Sequence, residues 1–140
     1  MALPSSLASG GVVLIALCAY WASGLDGGAT GGGGGDVLAS ACSGGVGAPP
    51  GHPLTVYLGR GAALLSGKST AAITAATSAI PMALAAGLLS EAVAMMTART
   101  SAGVLAGGLL ALSDAAWSQA TTPSTFGMGC MLSALLILLA

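Results

Sequence analysis

Apolar positions in this chain fall into long blocks rather than alternating with polar ones. The first block covers residues 7–25 and holds Gly11-Val12-Val13-Leu14-Ile15-Ala16-Leu17-Cys18-Ala19-Tyr20-Trp21 without a charge. Its length of about 19 residues is close to the roughly 20 that a helix needs to cross a bilayer. Tyr20 and Trp21 stand near its end, where amphipathic rings favour the membrane–water boundary. The block predicts a helix over about 7–25. A second block, 69–98, would reach about 45 Å as a helix, so it must tilt, kink or protrude. Pro81 supplies a kink, because its ring collides with the Thr77 carbonyl and it lacks an N–H. Thr77 and Ser78 carry hydroxyls suited to satisfying the freed backbone groups. Arg99 and Thr100 mark a turn, and the third block, 101–117, completes a helical hairpin. The last, 127–140, has about 14 residues; it predicts a short C-terminal apolar helix, too short for a clear span.

Between the first two blocks the pattern collapses. Gly27, Gly28 and the glycines at 31–35 oppose a helix, because glycine loses the most backbone entropy on ordering. Pro49, Pro50 and Pro53 then interrupt any regular element. Residues 26–68 therefore read as a long Gly/Pro-rich extramembrane loop, with 54–68 an interfacial piece closed by Lys68. The fold class is all-α: a small polytopic transmembrane protein of about two to four helices, one membrane domain over 1–140.

Composition sharpens this picture. The chain has 140 residues with only three basic and four acidic side chains. Charged residues are 5% of the chain, against about 25% in soluble domains. Mean hydropathy is +0.94. So few ionic groups cannot cover a water-facing surface, and lipid or neighbouring protein must do it. The expected location is integral to a membrane. A net charge of −1 leaves no basic patch for nucleic acid.

The most informative pattern inside the blocks is small residues at spacing four. Ala75, Ala79, Ala83 and Gly87 form one such row, and Gly103, Gly107 and Ala111 another. That spacing keeps each row on one helix face, and small faces let backbones approach closely in lipid. These seven residues are the expected helix-packing positions. Glu91 is the only charge within its apolar helix. Ionisable groups at membrane depth are costly and mark functional sites by default, so Glu91 is a candidate intramembrane proton or polar site. The string Leu89-Ser90-Glu91-Ala92 resembles the second helix of the rotary ATP synthase proteolipid, and this four-residue resemblance implies a proton-carrying carboxyl. The stretch 98–107, one basic residue in a turn followed by a Gly-rich helix, resembles the hairpin of conjugative pilins. That resemblance implies a filament subunit packed with phospholipid.

Site chemistry is otherwise sparse. Gly61 and Gly67-Lys68-Ser69 look like a phosphate-binding loop, but five residues separate the glycines where four are needed, which re-aims the backbone N–H groups. Cys18, Cys42 and Cys130 are widely spaced and His52 has no nearby partner, so no metal site is expected. Lipid is the expected bound molecule, and chlorophyll or another pigment is left open through His52. The functional expectation is a non-catalytic integral membrane subunit, not an enzyme, that packs helices and lipid within a multi-subunit membrane complex such as an energy-transducing one. Its partners would be other membrane subunits and lipids, with self-association open. The alternatives are a self-assembling pilin-like filament or coat subunit, and a proton-handling subunit using Glu91.

Overall fold

The computed structural model describes residues 5–23, 39–40, 42–43, 53–66, 70–122 and 124–140. Six helices stand out among them: α1 (Ser5–Ala22), α2 (Pro53–Ser66), α3 (Thr70–Thr97), α4 (Thr100–Leu112), α5 (Asp114–Thr121) and α6 (Phe126–Leu139). All described regular structure is helical.

Helix α3 is the hub, and each of the other five helices packs against it. The directions follow from particular neighbours. Ser5 of α1 meets Glu91 of α3, while Val13, two turns on, meets Gly87. So α1 and α3 run antiparallel. Gly103 of α4 faces Ser90 and Ala94, and Gly107 faces Ala86 and Ser90, which makes α4 antiparallel to α3 as well. Gly127, at the start of α6, faces Ser78 and Met82, whereas Leu138 near its end shares a groove with Leu88 and Glu91. Helix α6 therefore runs with α3.

The interior is built from small side chains. Val12, Ala16, Tyr20, Ala79, Met82, Ala83, Ala86, Ala111, Ala116 and Ala120 form the buried cluster. Large aliphatic side chains point the other way: Leu14, Ile15, Leu105, Leu109, Leu132 and Leu136 are all exposed. A water-soluble bundle places leucines inside and charges outside. Here helices meet through Ala, Gly and Ser, and the outer surface is aliphatic. Apolar solvent suits that surface, since lipid tails are as apolar as leucine and only close packing distinguishes the inside.

Two expectations about boundaries are corrected. The loop expected over 26–68 contains a helix, α2, and residues 39–40 and 42–43 are helical too. Pro53 starts α2 rather than stopping it. At the first helical position the missing N–H would have had no partner, and the fixed φ already suits a helix. The rest of 26–52 lies outside the described residues. The third helix expected over 101–117 is two helices, α4 and α5, that break at Ser113. Ser113 is extended, with ψ 142°, its Oγ donates to the Leu110 carbonyl at 2.9 Å, and it accepts from the Ala116 N–H at 3.3 Å. One serine thus closes α4 and caps α5, and Asp114 in the first turn complements the helix dipole.

Pro81 is internal to α3, which continues unbroken from Thr70 to Thr97. The Ser78 hydroxyl is engaged elsewhere than expected. It is fully buried, donates to the Ser124 carbonyl at 2.9 Å and accepts from the Ser124 N–H at 2.8 Å. Ser78 thereby ties the α5–α6 connection to α3. Helix α3 ends where Ala98 takes φ 52°, a left-handed position usually given to glycine.

Tyr20 closes the other end of the bundle. It is fully buried, packs edge-on to Trp117 with ring centroids 5.4 Å apart, and donates to the Ala111 carbonyl at 2.8 Å. Ala111 lies in the last turn of α4, where carbonyls have no following helical N–H to accept from. Tyr20→Phe removes that donor while keeping the ring. The expected loss is about 1–3 kcal/mol, since a buried carbonyl is left unmatched. Thermal unfolding in detergent reads it; an unchanged midpoint would mean another donor replaces the hydroxyl.

Candidate functional site

Among the described residues, Glu91 is the one charge inside the long apolar helix α3. It stands on α3 between Leu88 and Ala94, close to where the first turn of α1 arrives antiparallel. Ser5 Oγ donates to Glu91 Oε1 at 2.7 Å, joining residues 86 positions apart. The second carboxyl oxygen, Oε2, is buried with no hydrogen-bond partner among the described residues. Glu91 is one of the residues around an open groove of about 360 Å3, with Ser6, Ser9, Gly10, Val13, Leu84, Gly87, Leu88 and Leu138, while its Oε2 is itself closed off from the outside. Polar atoms therefore gather at the Ser5–Glu91 end of a cleft walled by valine and leucine. Ser9 Oγ donates to the Ser6 carbonyl at 3.1 Å, which leaves its lone pairs as acceptors on that wall. The groove is thus mostly aliphatic, with the α1 serines at one end.

A second open groove of about 410 Å3 lies over α3, bordered by Leu110 of α4 and Phe126, Cys130 and Ile137 of α6. Its lining is almost wholly apolar, so it offers packing and little chemistry.

Where their surroundings are described, the small residues at spacing four lie close to neighbouring helices. Ala79 and Ala83 are buried in the central cluster, and Gly87 is pressed against Val13 of α1. A Cβ on Gly103 would overlap the Ser90 carbonyl oxygen, and one on Gly107 would stand 2.5 Å from the Ala86 carbonyl oxygen. Ala111 is buried between α4 and α1. Ala75 lies in α3, with its side chain outside the described set. The remaining candidate chemistry is dispersed. Asp114 is exposed at the start of α5, the three cysteines are free, and no three metal-ligating side chains gather among the described residues. Residues 61–66, which include the first glycine of the phosphate-loop look-alike, are helical and so present no loop. Asp36 and His52 fall outside the described residues. Sequence reasoning missed Ser5, Ser9 and Gly10. The serines at the head of an apolar block carried no signal beyond helix capping, and only the fold brings them to Glu91.

Residues 34–140 match the family model of the protein O-mannosyl-transferase TMEM260 N-terminal domain. That stretch is most of the chain. The chain belongs to this family. Comparison with curated proteins and with solved structures gives no match. Membership in the TMEM260 N-terminal family corrects the expectation that the chain is not an enzyme, because the family is named for a protein O-mannosyltransferase. Nothing supports a non-catalytic structural subunit. The TMEM260 match agrees with the two helical stretches, Ser5–Ala22 and Ala76–Thr97, that are long and apolar enough to cross a membrane. The chain is therefore associated with membranes rather than built for water. The matched stretch takes in α2 to α6 and three of the four acidic residues, Asp36, Glu91 and Asp114; it leaves out α1 and Asp26.

Proposed function

We propose that this chain is an integral membrane part of a protein O-mannosyltransferase, which moves a mannosyl group from an activated donor to a serine or threonine hydroxyl of a protein. The observation that carries the reading is the match of the TMEM260 N-terminal domain over 34–140. The aliphatic outer surface and the two long apolar helices support a chain that crosses the bilayer. In the reaction the bond from the anomeric carbon to the donor's leaving oxygen breaks. The acceptor hydroxyl oxygen takes its place on that carbon, and the hydroxyl proton passes to a base. A carboxylate suits that last role, and a placed base commonly contributes about 10²–10⁴-fold in rate.

Removing the chain from its native cells tests this. A defined set of serine and threonine sites should lose O-linked mannose in glycopeptide mass spectrometry and regain it when the chain is restored. Unchanged occupancy at every O-mannosylated site would overturn the transferase reading.

A further inference from the structure

The height of the aliphatic outer surface can be read from the charges and rings that bracket it. Arg99 immediately precedes α4, Asp114 follows its last residue by two, and both are exposed. Between them α4 turns Leu105, Leu109 and Leu112 outward. The helix has 13 residues, which puts the two charges about 22 Å apart along its axis. The hydrocarbon of a typical bilayer is about 30 Å thick. Arg99 can reach outward on its long stem, but the Asp114 side chain is short, and an ionisable group at membrane depth is costly. A hydrocarbon layer of ordinary thickness would therefore swallow one of the two.

Aromatic rings place one boundary at the same level. The chain has two tryptophans. Trp21 is exposed near the end of α1, and Trp117 of α5 packs edge-on to the neighbouring Tyr20. Both tryptophans thus stand at the Asp114 end of the bundle, and such rings favour the membrane–water boundary. Exposed Ser6, at the other end of α1, lies about 22 Å from Trp21 along that helix. Helix α3 is longer, but as the hub it is more than half buried along its apolar stretch.

We propose that α1, α4 and α5 form a lipid-facing belt about 22 Å tall that fits phospholipids with short acyl chains. The belt rests on the reading that the chain crosses the bilayer and is independent of mannosyl transfer. Its partner is the hydrocarbon layer itself, selected by thickness.

The full chain is reconstituted in phosphatidylcholine vesicles with myristoleoyl, oleoyl or erucoyl chains, and its folding is followed by helicity in denaturant. At fixed denaturant the ratio of folded to unfolded protein should be highest with myristoleoyl chains. It should fall about tenfold with oleoyl chains, the order expected of a mismatch of about 8 Å, and further with erucoyl. Asp114→Leu extends the charge-free face past Trp117, so its optimum should move to oleoyl chains, whatever the variant's overall stability. An optimum in oleoyl or erucoyl chains for the unaltered protein would overturn the belt, as would an Asp114→Leu optimum that stays with myristoleoyl. Release of the chain from its native membranes by alkaline carbonate would overturn the crossing of the bilayer and the belt with it. The chain-length series on the unaltered protein does not depend on how any variant folds.

Discussion

Gly107→Leu is expected to prevent the bundle from closing, while Gly108→Leu, one residue along, leaves it standing. At Gly107 a Cβ would lie 2.5 Å from the Ala86 carbonyl oxygen, 2.9 Å from the Ser90 Cβ and 3.1 Å from Val12 Cγ1. Two of those neighbours belong to α3 and one to α1, so the position is enclosed by two helices. The nearest obstacle is backbone, which cannot rotate away as a side-chain tip can. Inserting four carbons there forces α4 off α3. The expected loss is at or beyond the top of the roughly 1–3 kcal/mol usual for overpacking. At Gly108 a Cβ meets nothing within 4 Å, and replacing a helical glycine removes backbone entropy from the unfolded state. Gly108→Leu should therefore fall within about 0.5 kcal/mol of the parent or stabilise it slightly. Denaturation in mixed micelles, followed by helicity, separates the two. Equal stability of both variants would show that α4 does not pack on α3 through its glycine face.

The contrast between neighbouring glycines indicates what a sequence of this kind discloses. Spacing of four places Gly103, Gly107 and Ala111 on one face without any knowledge of the partner, because helical geometry is local. The partner is a different matter. Val12 of α1 reaches Gly107, and Tyr20 reaches Ala111, across more than ninety residues. No periodicity encodes that. Boundaries failed where one residue type serves two ends of a rule. Pro53 reads as a terminator because prolines cluster before it, yet proline also begins helices. Ser113 sits in a block that stays apolar up to Trp117, so hydropathy hides the break. The Ser113-Asp114 pair, a capping side chain followed by an acid, was the readable sign of it.

The site was legible by half. Glu91 stands out as a lone charge in an apolar helix. Its hydrogen-bond donor is the first residue of α1, and nothing near Ser5 in sequence distinguishes it from any serine that opens a helix. Enzymatic character had no local trace either. Transfer of a sugar needs only a few placed groups, and in a chain with four acids those groups make no spaced motif.

Replacing the proton acceptors of the matched stretch one at a time is expected to give a large loss at one of them and small changes at the others. The stretch 34–140 contains four groups able to take a proton near neutrality: Asp36, His52, Glu91 and Asp114. Attack on the anomeric carbon by a serine or threonine hydroxyl requires that its proton leave as the new bond forms. A base positioned for this is worth about 10²–10⁴-fold, so Asp36→Asn, His52→Gln, Glu91→Gln and Asp114→Asn, each restored to depleted cells, should include one variant whose initial rate of O-mannosylation falls by that much. The physical settings differ in a way that makes the pattern informative. Glu91 has one oxygen tied to Ser5 and the other closed off inside the bundle, a setting hard for a protein acceptor to reach. Asp114 is exposed and complements the start of α5, so Asp114→Asn should shift stability by about 0.3–1 kcal/mol through the helix dipole rather than stop the reaction. The decisive loss is thus expected at Asp36 or His52, with Glu91→Gln acting on the α1–α3 contact at Ser5 instead. A full set of active variants, each present in the membrane at parental level, would remove the base from this chain and leave it the role of binding or positioning within the transferase.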